Sequence, residues 1–348
     1  MKSLLQRNGS KLLGLAAALL LLSTAFAASI VVGTTPIGLT KAVDALVRYN
    51  PADNEQVIIM TTRVPRAAFA LAVGASLAVA GALMQALTRN PLASPGLFGI
   101  NAGAVLAVVV ALTLLPLSSL SQLVWVAFAG AAVSALLVYV LGSLGGGGLM
   151  PIRLVLAGSA LSALFGAVTQ GVLALDESGL QNVLFWLAGS VAGKEMHTLM
   201  QVLPYMLTGG LIALGLAYPL TVLSSGEDVA KGLGQRTLLV KVIAAAAVVL
   251  LAGSAVAAAG AIGFVGLVMP HFARYIAGTD YRWIVPYSAV LGGILLLSAD
   301  IVARFPVQPG ELPLGVVTGL IGMPFFISIA RGDFTQRRPQ NEPSRTDS

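Results

Sequence analysis

Catalysis needs a nucleophile, an acid–base pair or a metal cluster aimed at one pocket, and the side chains that supply these are scarce in this sequence. There is no cysteine, which excludes disulfides, thiolate metal sites and cysteine nucleophiles. The only histidines, His197 and His271, are too few for a histidine metal cluster. Serines and threonines are scattered without a matching histidine and carboxylate, and Asp176 with Glu177 reads as a solvated turn. ATP hydrolysis is excluded in the same way, because G-x-x-x-x-G-K-[ST] does not occur. Lys194, after Gly193, is followed by Glu195, and the run Gly145 to Gly148 follows a membrane helix where a phosphate loop needs a strand, so it reads as a tight turn. The expectation is a chain without catalytic residues, metal ligands or a cofactor of its own.

Two other constellations carry charge in places that call for a partner. Arg63-Val64-Pro65-Arg66 opens a helix, with Pro65 in the first turn where its missing N–H is harmless. Both arginines then stand near the positive end of the helix dipole, which disfavours cations by ~0.3 to 1 kcal/mol each. Something anionic must compensate, either lipid headgroups or a partner that bears carboxylates. The second constellation is the loop Thr221 to Arg236. Ser224 and Ser225 each have a carboxylate three residues on, at Glu227 and Asp228, so two registers of a capping box open a helix of about two turns. Gly232 and Gly234 can close it. Such an element is either a docking surface for another protein or a connector.

The elements that hold these residues are membrane spans. Of the 348 residues 57% are apolar and only 10% charged, against about a quarter charged in soluble domains. A charge at mid-bilayer costs ~2.5 to 3.5 kcal/mol on insertion scales, so uncharged stretches mark the spans. About ten helices follow at ~20 residues per span: 12–32, 65–87, 93–113, 123–143, 153–174, 200–220, 237–257, 261–271, 283–299 and 312–330. A turn is expected near Pro116 to Gln122. The first segment, with Lys2, Arg7 and Lys11 before an apolar run and Ala25-Phe26-Ala27, also resembles a secretory signal, but its apolar run continues to Val32, long enough to span. With the N-terminus inside, only Lys41, Arg48, Arg63, Arg66, Lys194 and Arg304 of the 20 Lys and Arg fall outside, which places both termini in the cytoplasm. The net charge of +6 is thus a topology signal, and no basic stripe interleaved with aromatics points to nucleic acid.

Within the spans, Gly74, Ala78, Ala82 and Ala86, and again Gly158, Ser162 and Gly166, form stripes of small residues that let helices approach closely. The Pro- and Gly-interrupted segments Asn90 to Gly103 and Gly260 to His271 occupy comparable places in the two halves. A gradient-driven transporter buries an ionisable residue for its coupling ion; the spans hold essentially none, and Asp300, Arg304 and Glu311 gather near an outer helix boundary. Gln85, Asn101, Thr169 and Gln170 are polar within apolar segments, suited either to line an uncharged translocation path or to hydrogen-bond a neighbouring helix.

Together these residues resemble a known family. Arg63-Val64-Pro65-Arg66, Gly74-Ala75-Ser76-Leu77-Ala78, Gly81-Ala82-Leu83-Met84-Gln85, Arg89-Asn90-Pro91-Leu92-Ala93-Ser94-Pro95 and Gly99-Ile100-Asn101-Ala102-Gly103-Ala104 are similar to FecCD-type permease subunits of ABC importers for iron-siderophores, haem and cobalamin. So are Phe185-Trp186-Leu187-Ala188-Gly189-Ser190, Gly226-Glu227-Asp228-Val229-Ala230 with Leu233-Gly234, Gly263-Phe264-Val265-Gly266-Leu267 with Pro270-His271-Phe272-Ala273-Arg274, and Ala299-Asp300-Ile301-Val302-Ala303-Arg304. The motifs run from about residue 60 to 330.

The resemblance implies an all-α polytopic permease of ten helices, a second permease subunit identical or related, two cytoplasmic ATPase subunits that use ATP and magnesium, and an extracytoplasmic substrate-binding protein. It implies that Arg63, Arg66 and Arg304 meet glutamates of that binding protein, and that Ser224, Gly226, Glu227, Asp228, Ala230, Leu233 and Gly234 engage the ATPase. Residues 1–335 are then one permease domain in a bacterial cell membrane, followed by a polar, disordered tail at 336–348. The cargo expected is an iron chelate, ferric siderophore first, with haem or cobalamin as alternatives and a gradient-driven transporter or passive channel as the readings from other classes.

Overall fold

In the computed structural model, residues 3–115, 120–144, 151–175, 188–307 and 310–335 are described. The expected turns at Pro116 to Gln122, Gly145 to Gly148 and Asp176-Glu177, the first half of the Phe185 to Ser190 motif and the polar tail lie wholly or largely outside them. The described residues are helical and contain no strand. The helices are α1 (Asn8–Val31), α2 (Leu39–Val47), α3 (Asn54–Thr88), α4 (Ile100–Leu114), α5 (Leu120–Ser143), α6 (Pro151–Leu175), α7 (Met196–Gly215), α8 (Ala217–Ser224), α9 (Glu227–Gly232), α10 (Thr237–Ala259), α11 (Val265–Ala277), α12 (Tyr281–Ala303) and α13 (Leu314–Thr335). A helix stands at each of the ten expected positions. Seven are long and apolar enough to cross a membrane, whereas α4, α11 and the apolar part of α13, Leu314–Phe325, are shorter.

The organising element is α3, which is buried over most of its length. It runs antiparallel to α12, with Arg66 beside Asp300 and Gly74 beside Gly292, and further on meets α11, where Gly81 sits against Gly266. A Cβ on Gly74 would overlap the Gly292 carbonyl, and one on Gly81 the Gly266 carbonyl. The first small-residue stripe therefore acts as expected, by letting backbones touch. The second stripe differs: Ser162 approaches Gly99, but a Cβ on Gly166 would meet nothing within 4 Å in this chain. Helices α4, α5 and α6 pack on one another as a second group, joined to the first through α10.

The two interrupted segments adopt related geometry. Each enters its helix through a left-handed residue, Gly99 (φ 64°) before α4 and Phe264 (φ 65°) before α11. Two expectations need correction. The helix that carries Arg63 and Arg66 does not begin at Pro65 but at Asn54, and a π-turn at Ile59–Arg63 carries the chain into the proline, because the missing Pro N–H would otherwise interrupt an α-helical ladder. The expected helix 200–220 is broken at Leu216, between α7 and α8.

Candidate functional sites

Arg63, Arg66 and Arg304 are gathered by three elements into one cluster, and each is buried, at 5%, 8% and 3% exposure. Arg63 donates from Nη1 to the carbonyls of Ile30 (2.9 Å) and Val31 (2.6 Å) and from Nη2 to that of Thr35. Gly33 makes room for this guanidinium, because a Cβ there would press on it. Arg304 donates from Nη1 to the Ser29 carbonyl (2.8 Å) and that of Val32, and from Nη2 to Ser29 Oγ (2.8 Å) and Asp300. Apart from that of Thr35, in the connector, these are the carbonyls that the C-terminus of α1 leaves without helical partners, at the negative end of its dipole. Because α3 begins at Asn54, Arg63 and Arg66 do not sit at the positive end of their own helix, and the negative end of α1 favours the guanidiniums of Arg63 and Arg304.

Arg66 finds its anions within the chain. Its Nε donates to both oxygens of Asp300 (2.8 and 3.1 Å), and its Nη1 and Nη2 stand 2.8 Å from the two oxygens of Glu311. This corrects the choice between lipid headgroups and a foreign carboxylate: in this structure the compensating carboxylates are Asp300, wholly buried in α12, and Glu311, whose side chain is 32% exposed. It also corrects the statement that the spans hold essentially no ionisable residue, since Asp300 is one, held between two guanidiniums. The sequence signal for Asp300 with Arg304 was their spacing of four on one helix. Pairing with Arg66 across 234 residues left no local signal.

The loop Thr221 to Arg236 lies at the other end of α12. Thr221 Oγ1 donates to Asp280 Oδ1 (3.3 Å) and accepts from the Tyr281 N–H (2.9 Å), at the start of α12; at ~1.5 Å per residue the arginine cluster is about 34 Å away. The two-register capping box does not form. Ser224 and Ser225 donate back to the Thr221 carbonyl, and Gly226, at φ 139°, opens the six-residue α9 without a side-chain cap. Gly234 closes it as expected, in the left-handed region at φ 78°, while Gly232 is its last helical residue.

Glu227 fastens this element to the body. Its carboxylate receives Lys241 Nζ of α10 at 2.7 Å, lies 3.3 Å from Lys231 Nζ and accepts from Thr237 Oγ1 at 3.4 Å. The hydrogen bond from the Lys241 ammonium holds the Glu227 carboxyl below the ordinary carboxylate range. Gln235 Nε2 donates to the Pro219 carbonyl at 3.0 Å, closing the loop on α8. Ala230 is fully buried, whereas Val229 and Leu233, one helical turn apart, are exposed at 52% and 70%. Ala230 and Glu227 thus hold α9 in place, and Val229, Leu233 and Asp228 face outward. Thr221, Gln235, Lys241 and Asp280 belong to this site and were missed, because their roles depend on which helix ends meet.

The four path candidates stand on three helices, α3, α4 and α6. Gln85 is buried, donates to the carbonyls of Gly266 (3.4 Å) and Leu267 (3.1 Å) and accepts from Arg274; it serves the α3–α11 contact. Asn101 is half-buried in the first turn of α4, Thr169 is buried in α6 with Oγ1 unpartnered, and Gln170 beside it is exposed. A cavity of about 550 Å³ lies between α5 and α10, lined by Phe98, Phe128, Tyr139, Leu154 and Lys241 among others, and by none of the four.

The family model of the FecCD transport family matches residues 19–332. The chain is 52% identical over 326 residues to the "Probable siderophore transport system permease protein YfiZ" of Bacillus subtilis (strain 168), covering 94% of this chain and 98% of that one. It is 42% identical over 313 residues to the ferric enterobactin transport system permease protein FepD of Escherichia coli (strain K12), covering 90% and 93%. A solved chain described as from a candidate metal-chelate type ABC transporter, in an inward-facing conformation, superposes with a TM-score of 0.78 at 29% identity, over 91% of this chain and 98% of that one. A match that takes in both the buried arginine cluster and the loop around α9 identifies this multi-pass membrane protein as a member of the FecCD transport family.

Proposed function

We propose that the chain is the permease subunit of a bacterial binding-protein-dependent ABC importer and passes an iron chelate, a ferric siderophore, into the cytoplasm. The observation that carries this reading is the near full-length similarity to permeases named for siderophore, ferric citrate and iron-hydroxamate import. The sequence has no phosphate loop; the family resemblance implies that the driving ATPase is a pair of separate cytoplasmic subunits, joined to a second permease. Both chain termini and the loop 221–236 face the cytoplasm in this reading, and the arginine cluster faces outward. Reconstituted with its ATPase, the subunit is expected to give vanadate-sensitive uptake of radioiron-loaded siderophore. Uptake that persists without the ATPase and follows an ion gradient would overturn the reading, and competition by haem or cobalamin in place of the siderophore would correct its cargo.

The burial of Arg66 sets a condition on docking. A glutamate of the binding protein can engage this guanidinium only by taking the place of Glu311, the partly exposed partner, while Asp300 stays inside. Glu311→Gln removes the internal competitor and is expected to tighten binding of the loaded binding protein, with the effect fading as salt rises. The reversal Arg66→Glu is expected to abolish it. Should Arg66→Glu bind as well as the parent does, docking lies elsewhere.

A further inference from the structure

We infer that α2 is an interfacial helix whose outer face rests in the lipid headgroup region of the bilayer. At 100° per residue its nine residues divide into three faces. Ala42 and Ala45 point to the body and are buried at 3% and 0% exposure. Thr40, Lys41 and Asp44 form a polar face, on which Lys41 pairs with Asp53 and Glu55 at the start of α3. Leu39, Val43, Leu46 and Val47 share an arc of about 100° and are exposed at 63%, 51%, 54% and 73%.

A helix with water on one side and protein on the other needs only two kinds of face. The third, apolar and outward, requires an apolar occupant. Position names it. Residues 32–38 connect α2 to the end of the α1 span, a reach of at most about 25 Å, and α3, another span, follows α2 after a connector of six residues. Buried Ile37 and the Lys41 ion pairs hold α2 against the body within that reach. Tyr49, 46% exposed just past the helix, is the residue type that collects at headgroup depth. Charged and apolar arcs on one short helix beside two spans match a lipid surface, with the polar arc turned to water.

The natural absence of cysteine makes the test direct. Single cysteines at Thr40, Asp44, Val43 and Val47, all exposed, are spin-labelled in the full permease assembled with its ATPase in vesicles of phosphatidylcholine and phosphatidylglycerol. Labels at Val43 and Val47 are expected to collide often with oxygen, rarely with a water-soluble nickel chelate, and to broaden with spin-labelled lipid; those at Thr40 and Asp44 are expected to show the opposite pattern. Nickel access at Val43 and Val47 equal to that at Asp44 would overturn the inference, since the face would then be in water. So would exclusion of both oxygen and nickel with no response to lipid, which marks a face covered by protein, whether a second copy or a binding protein.

Discussion

Asp300 is the residue on which the arginine cluster turns. It is wholly buried, accepts two bonds from Arg66 Nε and one from Arg304, and so divides one negative charge between two cations. Glu311 and the α1 carbonyls supply the remainder. Removing one partner of a buried pair leaves the others uncompensated, at about 3–5 kcal/mol. Asp300→Ala is therefore expected to lower the thermal unfolding temperature of the detergent-solubilised protein well beyond the change made by Glu311→Ala, whose carboxylate is partly in water. Equal, small shifts would show that the cluster is not holding α1, α3 and α12 together. Gln85 has the corresponding role at the far end of α3, where its amide joins Arg274 to the backbone of α11.

At the scale of elements, close helix crossings and one short docked helix decide the behaviour. Gly81→Ala puts a methyl into the Gly266 carbonyl, and overpacking of this kind costs about 1–3 kcal/mol. Gly210→Ala, in α7 with nothing within 4 Å of the added atom, should be neutral or slightly stabilising, since alanine favours helix over glycine by about 1 kcal/mol. Thermal unfolding of the two variants side by side checks the assignment, and a harmless Gly81→Ala would refute the crossing. The docking of α9 has a pH signature. Because Lys241 depresses the Glu227 carboxyl when folded, its contribution is complete above the ordinary glutamate value of about 4.3 and is lost as pH falls through the lower, folded value. Protection of the α9 amides, measured against their intrinsic exchange rate, should therefore fall on acidification below pH ~4.3, and Lys241→Met should weaken that dependence.

Across the whole molecule, α12 links the two sites: Asp300 and Arg304 stand at one end, and Asp280 receives Thr221 of α8 at the other. Helix α3 runs alongside in the opposite sense, held at Arg66, Gly74, Gly81 and Gln85. On the proposed function, this pair carries a displacement between the end that receives a binding protein and the end that receives an ATPase. On the proposed function, Val229→Asp with Leu233→Asp, both on the exposed face of α9, should reduce transport-coupled ATPase activity severalfold while unfolding temperature stays unchanged. Normal coupling in this double variant would place the ATPase contact elsewhere on the chain.

What the sequence by itself determined is the part governed by the bilayer and by local chemistry. Charge is costly in lipid, so the positions of ten helices were legible from where charges are absent; small residues every fourth position announced the α3 crossing; Gly234 announced the end of α9. The loop around Glu227 was legible as an element, although its N-cap was not, because Ser224 and Ser225 can bond either forward to the next turn or back to the Thr221 carbonyl, and in the structure they bond back. Only the tertiary structure decided where the arginines point. Arg63 and Arg66 looked like cations in need of an outside anion, and the fold instead brings Asp300 and Glu311 to Arg66, and the end of α1 to Arg63 and Arg304, from far along the chain. The same holds for Gln85, whose partners lie more than 180 residues away. The physical reason is common to both: spacing along the chain reports which face of a helix a residue occupies, but the partner of a buried polar group is fixed by which helices cross, at what depth, and in which direction.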